Sequence, residues 1–320
     1  MRVLITGASG FAGGHLAQAC AAAGDEVIGV SRSGLLPAGA GEGQAIDLRD
    51  AAGVRGLVRE ARPEVVYHLA ALSSVRRSWE DPAGTVTGNV ASSVSVLEAL
   101  RLHAVDARLV WVSSCEVYGA PARLPITEDA PVNPVNPYAV SKAAGDLLAG
   151  VYAQSHGLDI IRARPFSHAG PGQLPIFILS SLAQQAAAAL LAGVERVTIL
   201  TGNPDTRRDF TDVRDVVRAY RLLAACAKPG VYNVSSGRSV SAGEQVALLA
   251  SLIAPIAVEH VVDPARVRAH EVMELRGARD RVRGATGWGP EIPFRQTMRD
   301  TIEWWREELA GEPPDTGDDI

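Results

Sequence analysis

Tyr138 and Lys142 stand four residues apart in Tyr138-Ala139-Val140-Ser141-Lys142. On a helix both side chains fall on one face. An ammonium beside a phenol favours the phenolate, lowering a pKa that is about 10 in free tyrosine. A tyrosine tuned this way exchanges a proton with a hydroxyl or carbonyl oxygen while a hydride moves. Ser114, upstream at the end of Val112-Ser113-Ser114, can hydrogen-bond the same oxygen. A Tyr and a Lys at helical spacing also occur on plain surface helices, so the pair gains its meaning from a second constellation.

That constellation is Thr6-Gly7-Ala8-Ser9-Gly10-Phe11-Ala12-Gly13, directly behind a short apolar stretch. The spacing is G-x-x-G-x-x-G. Glycines there permit a tight turn and let backbone approach a pyrophosphate seated on a helix N-terminus. Gly7, Ser9, Gly10, Phe11 and Gly13 are the expected dinucleotide contacts. An NAD site usually carries a carboxylate at the end of the second strand for the ribose 2′-hydroxyl. This chain has Ser31-Arg32 instead. A guanidinium matches a 2′-phosphate, so NADP(H) is favoured and NAD(H) is the alternative. Asp47 and Leu48 are expected to border the adenine, and Leu69, Ala70 and Ala71 to line the crevice where ligands of open α/β sheets gather.

These residues need a frame. Strand-like and helix-like segments alternate through the first half: strands at Arg2–Thr6, Glu26–Ser31, Ala45–Asp47, Val65–Leu69, Arg108–Ser113 and Asp159–Arg164. Helices are expected at Phe11–Ala23, Ala51–Glu60, Val86–Leu102 and Pro137–His156. Such alternation implies an α/β fold, a Rossmann-type doubly wound parallel sheet. After Pro165 the rhythm breaks into longer Pro- and Gly-rich loops (Arg164–Pro175, Gly202–Asp212) with helices at Ile176–Gly193, Arg214–Cys226, Ser241–Ala254 and Arg295–Leu309. The expected division is 1–165 with about 211–235 as the cofactor domain, and 166–210 with 236–309 as a smaller substrate lobe. The acidic tail 310–320 is expected to be disordered.

Composition narrows the field. The net charge of −5 argues against nucleic-acid binding, which needs a basic footprint. Three widely spaced cysteines, Cys20, Cys115 and Cys226, fit neither a disulfide framework nor a metal site, and a reducing cytoplasm is the expected compartment. The longest apolar run, Leu182 to Val194, is too short for a membrane span, and the N-terminus has no signal-peptide pattern.

With both constellations in place, the chain resembles the extended short-chain dehydrogenase/reductase family, in its nucleotide-sugar branch of GDP-mannose 4,6-dehydratases and GDP-6-deoxy-4-keto-mannose reductases. The stretches that carry this are Arg164-Pro165-Phe166-Ser167-His168-Ala169-Gly170-Pro171-Gly172-Gln173, Arg208-Asp209-Phe210-Thr211-Asp212-Val213-Arg214-Asp215-Val216, Val231-Tyr232-Asn233-Val234-Ser235-Ser236-Gly237, and Asp263–Glu271 followed by Thr286-Gly287-Trp288. The resemblance implies a Ser114–Tyr138–Lys142 catalytic set, His168 at the cofactor, and Ser73, Ser74, Ser167, Arg208, Arg268 and Glu271 around a nucleoside-diphosphate sugar. Ser167 stands where the family usually has Asn. Glu116 resembles the base by which dehydratases remove a C5 proton, although reductases also carry an acid there. Cys115 is expected to be a buried, inert thiol. A homodimer through the Val86–Leu102 and Pro137–His156 helices is expected, packed through Ala91, Ser92, Ala143, Ala144 and Gly145. The implied activity is NADPH-dependent reduction of the C4 ketone of a GDP-4-keto-6-deoxyhexose. The alternatives are a 4-epimerase or 4,6-dehydratase that keeps its cofactor, and a non-catalytic NADP-binding sensor.

Overall fold

The computed structural model of the chain describes residues 1–267 and 272–311. Its first half runs β1 (Arg2–Thr6), α1 (Phe11–Ala22), β2 (Glu26–Ser31), β3 (Glu42–Ala45), α2 (Ala51–Ala61), β4 (Val65–His68), α3 (Val75–Glu80), α4 (Pro82–His103), β5 (Arg108–Val112), α5 (Pro137–His156) and β6 (Ile160–Pro165). It continues through β7 (Ser167–Ala169), α6 (Ile178–Ala192), β8 (Arg196–Thr201), β9 (Arg207–Asp212), α7 (Val213–Cys226), β10 (Gly230–Val234), β11 (Ser239–Ser241), α8 (Ala242–Leu252), β12 (Ala257–Val262), β13 (Glu274–Leu275), α9 (Asp280–Thr286) and α10 (Phe294–Ala310).

Seven strands form one sheet in the order β10-β6-β5-β4-β1-β2-β3, each pairing parallel. Parallel strands covered on both faces must be apolar throughout, and Leu-Val-Trp-Val of β5 is buried residue by residue. Leu16, Ala17 and Cys20 of α1 and Val216, Tyr220 and Leu223 of α7 seal one face against Val3, Ile5 and Tyr67. On the other face, Val54 and Val58 of α2 and Val96, Leu97 and Leu100 of α4 meet Leu4, Val66 and Trp111. The chain leaves β1 for β2 on one side and returns to β4 on the other, so a crevice opens at the carboxyl ends of β1 and β4.

A separate core joins α6, α8 and α10 through Leu182, Ala183, Ala186, Val246, Leu249, Met298, Ile302 and Trp305. Beside it, β9 pairs with β7, β11 and β13.

Four sequence expectations need correction. The third strand ends at Ala45 rather than running through Asp47, because Asp47 folds back to accept from the Arg49 amide and guanidinium. The helix expected from Val86 starts at Pro82, where Asp81 caps the Gly84 amide and proline occupies the first turn. The short helix α3 went unread. The polar stretch Arg207–Asp212, read as loop, is strand β9; Asp209 within it is fully buried and accepts from the amides of Ser236, Gly237 and Gly277. Among the described residues no helix is long and apolar enough to cross a membrane.

Candidate active site

The glycine loop joins β1 to α1 at the crevice. Gly7 has φ +74°, and a Cβ there would lie 2.8 Å from the Ala70 nitrogen. A Cβ on Gly13 would lie 2.0 Å from the Gly7 oxygen. The loop therefore rests on the strand-end segment Leu69–Ala70 with no room for side chains. Its cap residue, Gly10, offers no side chain to the first turn of α1, which leaves those amides to a ligand. This cradle fits a dinucleotide pyrophosphate. Phe11 opens α1, and the His168 ring stacks on it at 6.0 Å and 6°, which brings β7 onto the loop. Burial lowers the pKa of His168. The Arg49 hydrogen bonds hold the Asp47 pKa below the usual carboxylate value, and the nearby Arg32, exposed at the end of β2, adds a smaller lowering. Leu48 is a core residue beside Val54 and Val58, so its side chain is not free to cover an adenine.

Ser114, Glu116 and Tyr138 converge at the end of β5. Ser114 caps a short turn by accepting from the Glu116 amide at 3.2 Å. Asn136 caps α5 by accepting from the Ala139 amide at 2.8 Å, with Pro137 in the first helical position. Its other side-chain atom donates to Glu116 Oε2 at 3.0 Å. Tyr138, on the first turn of α5, is half-buried. Burial pushes its pKa well above the usual value; the Ser114 hydroxyl pulls the other way, and the nearby Glu116 charge adds to the rise. Lys142 follows one turn later and is buried. Its Nζ donates to the Val112 carbonyl at 2.5 Å and lies 5.9 Å above the Trp111 ring. Burial pushes its pKa down to about 8, against the pull of Asp146. The expected lowering of Tyr138 by Lys142 is thus not what this geometry gives. The ammonium is engaged with backbone, and desolvation dominates the phenol. Such a phenol is a proton donor at neutral pH. Cys115 is buried, and burial raises its thiol well above the ordinary range, which leaves it inert.

The remaining expected residues are scattered around this centre. Ser73 is exposed after β4, while Ser74 caps α3 by accepting from the Arg77 amide at 3.2 Å. Ser167 lies on β7 opposite Phe210. Arg208 is half-buried on β9 and donates to the Arg207 and Val272 carbonyls. Arg268, Glu271 and the tail from residue 312 lie outside the described residues.

Besides Asn136, sequence reasoning missed the supporting roles of three residues. Asn89 on α4 accepts from the Leu72 amide at 2.8 Å and donates to the Ser141 hydroxyl at 2.8 Å, tying the loop after β4 to α5. His68 is buried beside Trp111, and its Nδ1 meets the Thr6 hydroxyl at 2.8 Å. Burial pushes its pKa down to about 3, so the ring stays neutral. Asp146, one turn beyond Lys142, is fully buried against Arg164 and Arg162. Its signal was available: Tyr138, Lys142 and Asp146 repeat every four residues.

The family model of the GDP-mannose 4,6-dehydratases matches residues 4–301. GDP-6-deoxy-D-mannose reductase of Pseudomonas aeruginosa is 37% identical over 97% of this chain and 99% of its own length. UDP-glucose 4-epimerase of Mycolicibacterium smegmatis is 33% identical over 96% of this chain and 99% of its own. The solved structure of RMD from Pseudomonas aeruginosa complexed with NADPH superposes with a TM-score of 0.83 at 34% identity, over 96% of this chain and all of that one. With the glycine cradle and the Ser–Tyr–Lys centre in one crevice, this chain belongs to the GDP-mannose 4,6-dehydratase family, NAD(P)-dependent nucleotide-sugar enzymes of the extended short-chain dehydrogenase/reductase type.

Proposed function

We propose that the protein is an NADPH-dependent reductase of the C4 ketone of a GDP-4-keto-6-deoxyhexose. The observation that carries this reading is the half-buried Tyr138 in the first turn of α5 beside Ser114, in a chain similar over 97% of its length to a GDP-6-deoxy-D-mannose reductase. Bound NADPH supplies the hydride. Tyr138 gives its proton to the oxygen left at C4, and Ser114 holds that oxygen. Lys142 turns from Val112 to the cofactor ribose and keeps a positive charge behind Tyr138. Gly7, Ser9, Gly10, Phe11 and Gly13 take the pyrophosphate, and Arg32 the 2′-phosphate. Ser73, Ser167 and Arg208 face the nucleotide sugar.

A second reading rests on Glu116. Asn136 fixes this carboxylate beside Tyr138, where a base for a C5 proton would stand. A 4,6-dehydratase or 4-epimerase would retain its cofactor and show no net redox change. Purified protein incubated with GDP-4-keto-6-deoxymannose and NADPH separates the two. Stoichiometric loss of NADPH absorbance supports the reductase. Binding of the sugar without NADPH oxidation removes it.

We also infer a homodimer through α4 and α5. Ser92, Ala143 and Gly145, expected at that interface, instead face inward, and Gly145 lies against Trp111. The large apolar side chains that α5 leaves exposed are Val140, Leu147 and Val151, at spacings that share a helical face, and α4 exposes Val94. A face of this kind without charge fits a second copy.

A further inference from the structure

Loop 170–177 between β7 and α6 crosses the first turns of α1. Gly172 has φ +88°, and a Cβ there would touch the Phe11 ring at 3.9 Å. The His168 ring, just before the loop, is the one stacked on Phe11. His15 lies one turn beyond Phe11 on the same helix face, with its ring edge-on to Phe11 at 5.6 Å. Its Nε2 meets the Pro171 carbonyl at 2.9 Å. A carbonyl only accepts, so Nε2 must carry the proton. From its other end the loop is held by the sugar-side helices. Gln173 donates to the His168 carbonyl at 2.9 Å, the Ser180 hydroxyl of α6 donates to the Gln173 carbonyl, and Trp305 of α10 donates to Ser180 at 2.9 Å.

We infer that His15 is a positioning residue for the dinucleotide. By pinning Pro171 it holds the 170–177 strap, with His168, over the helix start where the pyrophosphate sits. His15 touches no reacting atom in this scheme. Its effect passes through the strap, so it belongs to cofactor binding and not to proton transfer. The inference rests on the NADPH site alone and is independent of which sugar is reduced.

The test uses His15→Phe, which keeps a ring against Phe11 and removes the donor, and His15→Gln, which restores a donor. NADPH affinity is read by quenching of protein fluorescence, which needs no sugar. Losing one neutral hydrogen bond that preorganises the strap should weaken NADPH about three- to tenfold in His15→Phe. His15→Gln should recover most of it. With a working sugar substrate, KM for NADPH should rise and kcat at saturating NADPH should stay within about twofold. Unchanged NADPH affinity in His15→Phe overturns the inference. So does a loss that His15→Gln fails to recover. A melting temperature lowered by about 10 °C in His15→Phe makes His15 a stability residue and likewise overturns it. Failure of the sugar assay with an intact NADPH effect would instead count against the reductase reading.

Discussion

Asn136 serves two neighbours with one amide: its oxygen accepts from the Ala139 amide at 2.8 Å and its nitrogen donates to Glu116 at 3.0 Å. The helix start that aims Tyr138 therefore also fixes the carboxylate beside it. Glu116→Gln keeps an oxygen for Asn136 and removes the base. For a ketone reductase, the rate of NADPH oxidation should fall by less than about tenfold. A general base in the chemical step would be worth about 10²–10⁴-fold. A loss in that larger range would place Glu116 in proton transfer during the reduction itself.

Arg32 is free to meet a ligand, being exposed at the end of β2. A guanidinium on a 2′-phosphate is a charge-assisted contact, worth about 1.5–3 kcal/mol. Arg32→Ala should therefore weaken NADPH by about ten- to a hundredfold and leave NADH nearly unchanged. Titration of both cofactors against both proteins checks this. An equal loss for the two would take Arg32 out of the role.

Asp146 and Arg164 are both buried, and Arg164 Nε donates to Asp146 at 2.8 Å. Removing one partner strands the other charge away from water. Asp146→Ala should lower stability by about 3–5 kcal/mol in urea unfolding. Asp146→Leu combined with Arg164→Met should recover a large part of it, since the pair is worth far less than either lone charge.

The glycine loop and the placement of Tyr138 and Lys142 were the most legible parts of this chain because they are written in local spacing. Tyr138 and Lys142 share a helix face by arithmetic, and the glycine loop must follow a strand and open a helix. The apolar strands of the central sheet were legible for a similar reason, since a strand buried on both faces reads as a continuous apolar run. Strand β9 was not, because its core residue is Asp209, whose partners come from Ser236, Gly237 and Gly277. A carboxylate satisfied by distant amides looks like loop in a local reading. Asn89 and Asn136 were missed likewise, for their roles depend on contacts with Leu72 and Glu116 that no periodicity encodes. The tuning of Tyr138 was misjudged because spacing places Lys142 near it but says nothing of desolvation or of the Val112 carbonyl that takes the ammonium.

The exposed apolar face of α5 gives the assembly prediction. Leu147→Glu together with Val151→Glu places charges where a second copy would pack. Wild-type protein should sediment as a dimer at micromolar concentration and the double variant as a monomer with unchanged circular dichroism. A monomeric wild type would remove the proposed interface.

The final prediction concerns proton delivery. Burial holds Tyr138 protonated through neutral pH, the state a reduction requires. Tyr138→Phe should fold normally, bind NADPH and lose about 10²–10⁴-fold in turnover, the worth of a positioned general acid. Lys142 titrates near a pKa of about 8 because burial disfavours its charge. Its ammonium is present below that pH and lost above it, so kcat/KM for reduction should decline as pH rises through about 8. The same depression acts on stability with the opposite sign. Between about 8 and the ordinary 10.5 the unfolded chain holds the proton that the folded chain has released, so the Lys142 contribution to stability rises with pH across that window. Lys142→Arg, a cation that does not titrate there, should remove the alkaline limb from the rate profile even if it lowers the plateau. A limb that stays near 8 in Lys142→Arg assigns the titration to another group, and full activity in Tyr138→Phe on the true substrate removes Tyr138 from proton transfer.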